Sequence, residues 1–405
     1  MTGPGGAASR TRLPARAWPV LAGDAVSAFG TGLTLPFLVV YLHRVRGIDL
    51  TLTGPIFSVI AVLGLVGNPV GGLLSDRIGA RRTAVAGLLV VGAGTAGFAA
   101  VHTAWQGFAA AACYGLGISV TAPAFQALLG ASVPVEGRPK AFAIRQVGVN
   151  VGAGLGGVAA ASVASFTDPG TFVLLYLLDS ATFLVFAVVI ALTARDAKSA
   201  GTGFGGYRTV LADRRMVGLW GIVVVLVACG YGQLFGAYPI YAADRAGLDA
   251  GELRLTFVAH TVTVVAAQFF VLRLMAARRR TRGLAVCAAL MALAWLIVPG
   301  TGSVLWLTLA LVVFALGETF LAPTAPAIVN DLATDSDRGR YNGVYTLAWT
   351  TGYVIGPGTA GLMLSAGLGD ALFVGSALAL CAAAALAFRL ERILPEAANR
   401  SQRKD

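Results

Sequence analysis

Long apolar runs dominate this chain, and their length dictates its solvent. Predominantly apolar stretches number twelve, at 17–42, 53–74, 83–101, 105–130, 140–163, 170–194, 216–242, 254–276, 283–300, 304–329, 341–366 and 369–389. A helix rising 1.5 Å per residue needs about 20 such residues to cross a hydrocarbon layer. Membrane-crossing strands are about 10 residues long and alternate in polarity. These runs are longer and continuous, so they predict helices. Charged residues make up 12% of the 405 residues, against about 25% in a soluble domain. No single soluble core hides that much apolar surface.

The net charge of +11 raises the question of nucleic acid, but the basic residues sit in short clusters between apolar runs and form no continuous face. Their placement sets topology instead. With twelve spans, both termini and alternate loops share one side. Of the 30 basic residues, all but Arg44, Arg46, Arg245 and Arg254 fall on that side, which the positive-inside rule makes cytoplasmic. The expected protein is an all-α integral membrane protein with twelve transmembrane helices in two pseudo-symmetric six-helix bundles. A disordered cytoplasmic tail is expected over 1–16, bundles over 17–195 and 216–392, a Gly-rich charged cytoplasmic linker over 196–215, and a second cytoplasmic tail over 393–405.

The halves repeat. At an offset of 200, Tyr41 meets Tyr241, Gly47 and Asp49 meet Gly247 and Asp249, Pro123 meets Pro323, Arg138 meets Arg338, and Gly152 and Gly156 meet Gly352 and Gly356. Parallel six-helix repeats are one architecture of secondary transporters, with a substrate site near the bilayer midplane.

After the second span the chain reads Gly72-Leu73-Leu74-Ser75-Asp76-Arg77-Ile78-Gly79-Ala80-Arg81-Arg82. Gly72 permits close helix approach and Gly79 a tight turn. The segment resembles the loop after the second helix of the major facilitator superfamily, with Ala80 in place of its first basic residue. The resemblance implies that Asp76 faces the start of the eleventh helix and helps hold the halves together. The matching second-half loop, Arg278-Arg279-Arg280, carries no acid. In the fifth span, Gly148, Gly152 and Gly156 make a flat packing face. This resembles the motif of the 12-helix drug/proton antiporter branch, with Gly157 where that branch has proline. Gly352, Gly356 and Pro357 repeat the pattern with the Gly-Pro pair intact. The fourth helix lacks the arginine that many antiporters of this branch carry before the position of Gly115.

Ionisable residues at membrane depth usually face a cavity or a partner. Asp24, Asp179 and Glu318 are the proton-coupling candidates. Asp179 reads as a structural polar residue, and Glu318 as either a proton site or a packing group. Arg145 reads as an interfacial cation ahead of a substrate ligand. Tyr41, Gln126, Arg145, Asn150, Gln233, Tyr238, His260, Gln268 and Trp349 are candidates to line a cavity, together with Tyr231 and Phe235; mixed aromatic and amide linings suit amphipathic compounds.

No Ser/His/Asp, Cys/His or metal-ligand cluster and no nucleotide-binding glycine loop is present, so neither an enzyme, a metal site nor a cofactor is expected. The four cysteines stand alone in apolar runs. The expected function is proton-coupled export of small hydrophobic or amphipathic compounds by alternating access. The chain should act as a monomer in an inner (plasma) membrane, with substrate, protons and lipid as partners and no nucleic acid. The alternatives are uptake or uniport of a metabolite in the same fold and, more distantly, a non-transporting scaffold or sensor.

Overall fold

The computed structural model describes residues 13–134, 137–165, 168–194, 207–275, 278–334 and 337–400. Most of the expected N-terminal tail, the linker through residue 206 and the last five residues lie outside the described residues. The described residues are helical, with no strand among them. The long elements are α1 Ala17–Val45, α2 Leu50–Ile78, α3 Ala80–Ala99, α4 Ala104–Ser132, α5 Arg138–Val163, α6 Pro169–Thr193, α7 Arg214–Gly236, α8 Ala250–Met275, α9 Arg280–Ile297, α10 Val304–Leu332, α11 Arg338–Ser365 and α12 Gly369–Ile393. Ten of them, all except α5 and α11, are long and apolar enough to cross a membrane. The remaining two have 26 and 28 residues and are diluted by glycine and by polar residues such as Gln146, Asn150, Asn342 and Thr350.

The helices outrun the apolar segments that announce them. α2, α4 and α10 each have 29 residues, because polar ends continue the backbone ladder past the apolar core. Asp49 starts α2 by accepting a hydrogen bond from the Thr51 amide, which satisfies an otherwise unpaired N–H. Gly79 ends it at φ 92°, a conformation that strains any side chain. The tight turn expected there is therefore present.

α1 and α7 are irregular at corresponding places. α1 narrows to a 3₁₀ turn over Leu35–Phe37 and widens to a π turn over Tyr41–Val45. α7 widens over Leu226–Tyr231 and ends before the short helix Tyr238–Asp244. Pro36 and Pro239 lack the N–H that would continue the ladder, and such broken helices recur where transporters build binding sites.

Each half has its own core. Tyr41, Phe172, Tyr176 and Phe183 fill the first, and Tyr238, Trp295, Phe314 and Phe373 the second. Ile240, from the second half, packs into the first core. The described part of the expected N-terminal tail packs on the bundle: Leu13 is buried and Arg16 donates to the Ser132 carbonyl. At the other end, the short helix Glu396–Asn399 folds back on α9, where Asn399 accepts from the Thr281 amide at 3.0 Å.

Candidate functional site

Two helix pairs form the seam between the halves. α2 lies along α11 and α5 along α8. Ser58 of α2 donates to the Val354 carbonyl of α11 at 2.8 Å. A Cβ at Gly54 would collide with the Pro357 carbonyl, and one at Gly361 with the Leu50 carbonyl. Phe57 meets Tyr353, and Phe37 meets Phe257, with ring centroids 6.3 and 5.9 Å apart. Gly154 faces Thr261. All these contacts sit toward loops 46–49 and 366–368.

The opposite end of α2 is open. Nothing lies within 4 Å of a Cβ built on Gly72, Leu73 is half exposed, and Asp76 and Arg77 are exposed. Gly72, expected to permit a close helix approach, thus has open space around it, because the halves part there. Arg81 is half-buried, and the side chain of Arg338, at the start of α11, lies outside the described residues. The halves are joined at one face and diverge toward the face that bears both chain ends.

At the joined face, Arg44 of α1 forms an ion pair across the seam with Asp244, and His43 Nε2 lies 3.6 Å from the same carboxylate. Burial alone would raise the Asp244 carboxyl, but the adjacent His43 ring and the Arg44 charge outweigh it and hold the carboxyl below its ordinary range. A depressed carboxyl stabilises the joined state above the ordinary carboxylate range and ceases to do so as pH falls through the depressed value. Asp244→Asn, or acidification of this face, should therefore favour parting of the helix ends joined there. Spin labels at Leu52 and Leu368, both exposed, should report a longer distance. An unchanged distance distribution would remove the latch role from Asp244.

Three acids occupy the interior of the helices, each in a different setting. Asp24 of α1 lies 2.9 Å from Nε of Arg145 on α5, though out of line for a hydrogen bond. The Arg145 guanidinium also lies 4.9 Å from the Phe125 ring centroid. Arg145 is therefore an internal partner of Asp24 rather than an isolated interfacial cation. Asp179 of α6 is fully buried in the first core and accepts from Thr34 at 2.6 Å. Sealed away from the seam, it braces the irregular stretch of α1 and is not brought to the other candidates.

Glu318 is the central residue of α10, and its Oε2 lies 2.9 Å from His260 Nε2 on α8. Their side chains are 25% and 13% exposed, so the pair is partly withdrawn from its surroundings but not sealed. An aromatic wall adjoins them: Phe314 lies 6.0 Å from His260 and 5.9 Å from Tyr231, and Tyr231 continues to Trp349 at 5.2 Å and on to Tyr353.

Tyr41, Gln233 and Tyr238, expected to line a cavity, are instead buried in or between packed helices. Tyr41 donates to the Phe98 carbonyl and accepts from Arg46. Gln233 bonds the Ala228 and Gly356 carbonyls, stapling α7 to α11. Tyr238 reaches the Leu307 carbonyl at 3.4 Å. Their polar atoms satisfy backbone groups that lipid and apolar cores leave unpaired. Gln126 and Asn150 are exposed, the latter accepting from Gln146 at 2.9 Å, while Gln268 and Trp349 are half-buried.

The glycine motifs separate by task. Gly148, Gly152 and Gly156 seat α5 on Ala25 and Phe29 of α1 within the first half, and Gly352 and Gly356 seat α11 on α7. Pro357 lies where α11 meets both Gly236 of α7 and Gly54 of α2. The sequence reading missed the Arg44–Asp244 ion pair and the His260–Glu318 pairing. The available signal for the first was Arg44, one of only four arginines on that side, at a loop end matching that of Asp244 in the other half.

The profile of the Major Facilitator Superfamily matches residues 20–314 and 220–405. The uncharacterized MFS-type transporter YqjV of Bacillus subtilis (strain 168) is 24% identical over 374 residues, covering 89% of each chain. The multidrug resistance protein MdtH of Klebsiella pneumoniae subsp. pneumoniae is 27% identical over 308 residues, covering 73% of each. Among solved structures, a peptide transporter POT matches with TM-score 0.78 at 16% identity, over 94% of this chain and 96% of that one. A bacterial homolog of the human lysosomal transporter Spinster, solved in an inward-facing and occupied conformation, matches with TM-score 0.75 at 15% identity, over 96% and 99%. With two helical halves, a seam closed at one face and family matches spanning nearly its whole length, the chain belongs to the Major Facilitator Superfamily and is a multi-pass membrane transporter of that type.

Proposed function

We propose that this chain exports small hydrophobic or amphipathic compounds in exchange for protons, by rocking residues 17–194 against 214–393 in a prokaryotic plasma membrane with both termini cytoplasmic. The His260–Glu318 pair carries this reading. It stands at the midpoint of α10, next to an aromatic wall, where a repeat transporter holds its substrate. A carboxylate at that depth is retained only at a free-energy cost, which argues for a task. The joined face is then external and the arrangement inward-facing. Protonation of Glu318 from outside and release inside would drive the cycle. The name of the relative MdtH agrees with export. A proton-independent carrier is the second reading, favoured by the absence of an arginine ahead of Gly115 in α4.

The test is flux into proteoliposomes with an imposed pH gradient, using a panel of amphipathic fluorescent dyes as probes. Dye movement that reverses with the gradient supports exchange. Movement down the dye's own gradient, indifferent to pH, leaves a uniporter.

A further inference from the structure

Outside the seam, a cavity of about 600 Å³ opens at the face bearing the chain ends, between the end of α8, the start of α9, α10 and the returning C-terminal segment. Its rim carries Arg278, Arg279, Arg282 and Arg400, and its floor Leu274, Val286 and Phe320. This is the second-half loop that kept its cations and lost the acid of the first-half motif.

The rim charges are only partly spent. Glu391 of α12 pairs with both Arg279 and Arg282 and accepts from Thr281, which fixes the two guanidiniums side by side. Arg400 reaches Glu396 at 3.9 Å, an exposed and weak pairing. Arg278 is exposed and has no carboxylate partner among the described residues. Four guanidiniums thus face two carboxylates, leaving a surplus of positive charge. The floor descends from this rim into the membrane-embedded part of the bundle, and Val286 is 40% exposed there.

We infer that this cavity is a binding site for an anionic phospholipid of the adjacent leaflet, with the phosphate held by the arginine rim and the start of an acyl chain lying on the Leu274–Val286–Phe320 floor. Guanidiniums match phosphate oxygens in paired geometry. Basic pockets between helices at a cytoplasmic boundary suit lipid headgroups. A free phosphate would leave the apolar floor unused. A lipid satisfies both parts, and it would tie α8, α9 and the C-terminal segment together at the face where the halves part.

Native mass spectrometry of the full chain, released from detergent with graded phosphatidylglycerol or phosphatidylcholine of identical acyl chains, tests this. Phosphatidylglycerol should be retained preferentially, and Arg278→Gln with Arg282→Gln should weaken its retention roughly thirtyfold, the scale for removing two interfacial cations. Val286→Trp, which fills the floor and leaves every charge in place, should weaken it as well. Glycerol phosphate or inorganic phosphate at matched concentration should not displace the lipid. Equal retention of the two lipids, or retention unchanged in both variants, would overturn the site. Displacement by inorganic phosphate would overturn the lipid assignment in favour of a plain anion site.

Discussion

Glu318→Gln should reduce pH-gradient-driven transport to background, a loss of more than about 20-fold, while exchange of substrate across the same membrane without a gradient persists. Glutamine keeps the size of the side chain and offers an oxygen and an amide to His260, but it does not titrate. The loss therefore falls on coupling and spares the fold. Asp24→Asn is the informative contrast. It strands Arg145, whose side chain is 31% exposed. Breaking a fully buried pair costs about 3–5 kcal/mol, which that exposure reduces to about 1–2 kcal/mol. The expected result is a lower unfolding temperature with gradient-driven transport retained. Both variants are read in the same proteoliposomes, and unfolding is followed by intrinsic fluorescence. If Asp24→Asn loses coupling and Glu318→Gln keeps it, the proton site belongs to the first half and the assignment to Glu318 fails.

The fold was legible in the sequence because two independent physical signals agree on it. Apolar run length counts helices, and the placement of arginines checks the count. The 200-residue offset adds that the helices come in two sets. What a run of apolar residues does not encode is where its helix stops, since the Asp49 cap and the polar end of α2 carry the backbone ladder beyond the apolar stretch until Gly79 ends it. The site was less legible. Asp24, Asp179 and Glu318 look alike in a sequence: one acid each, inside an apolar run. Their partners, Arg145, Thr34 and His260, are 121, 145 and 58 residues away and come from packing that helical periodicity alone does not specify. Tyr41, Gln233 and Tyr238 show the same limit from the other side. A polar atom in an apolar helix needs a partner, but the sequence does not say whether a substrate or a neighbouring carbonyl supplies it. Within the glycine motifs, spacing identified packing faces without distinguishing contacts inside one half from contacts across the seam.

That distinction yields the second large effect. Gly54 and Gly156 are both glycines at which a Cβ would run into a backbone carbonyl, and flexible side-chain adjustment relieves neither collision. Gly156 meets Phe29 within the first half, a contact needed in every state of the transporter. Gly54 meets Pro357 across the seam, a contact made only while that face is joined. Gly156→Val should therefore prevent folding, seen as loss of the monodisperse peak in detergent, because backbone collision exceeds the roughly 1–3 kcal/mol of ordinary overpacking. Gly54→Val should fold and lose transport. A penalty of about 3 kcal/mol confined to one of two states shifts their ratio by about a hundredfold, so the protein should rest with the helix ends at this face apart. Labels at Leu52 and Leu368 should then report one long distance at neutral pH, where Asp244→Asn gives a mixture, since the glycine collision forbids the joined state and the lost ion pair only weakens it. A Gly54→Val protein that keeps the wild-type distance and still transports would show that joining at this face does not depend on close approach of α2 and α11. The rocking cycle would then have to close by another contact, with the Arg44–Asp244 pair at the end of α1 the next candidate to bear it.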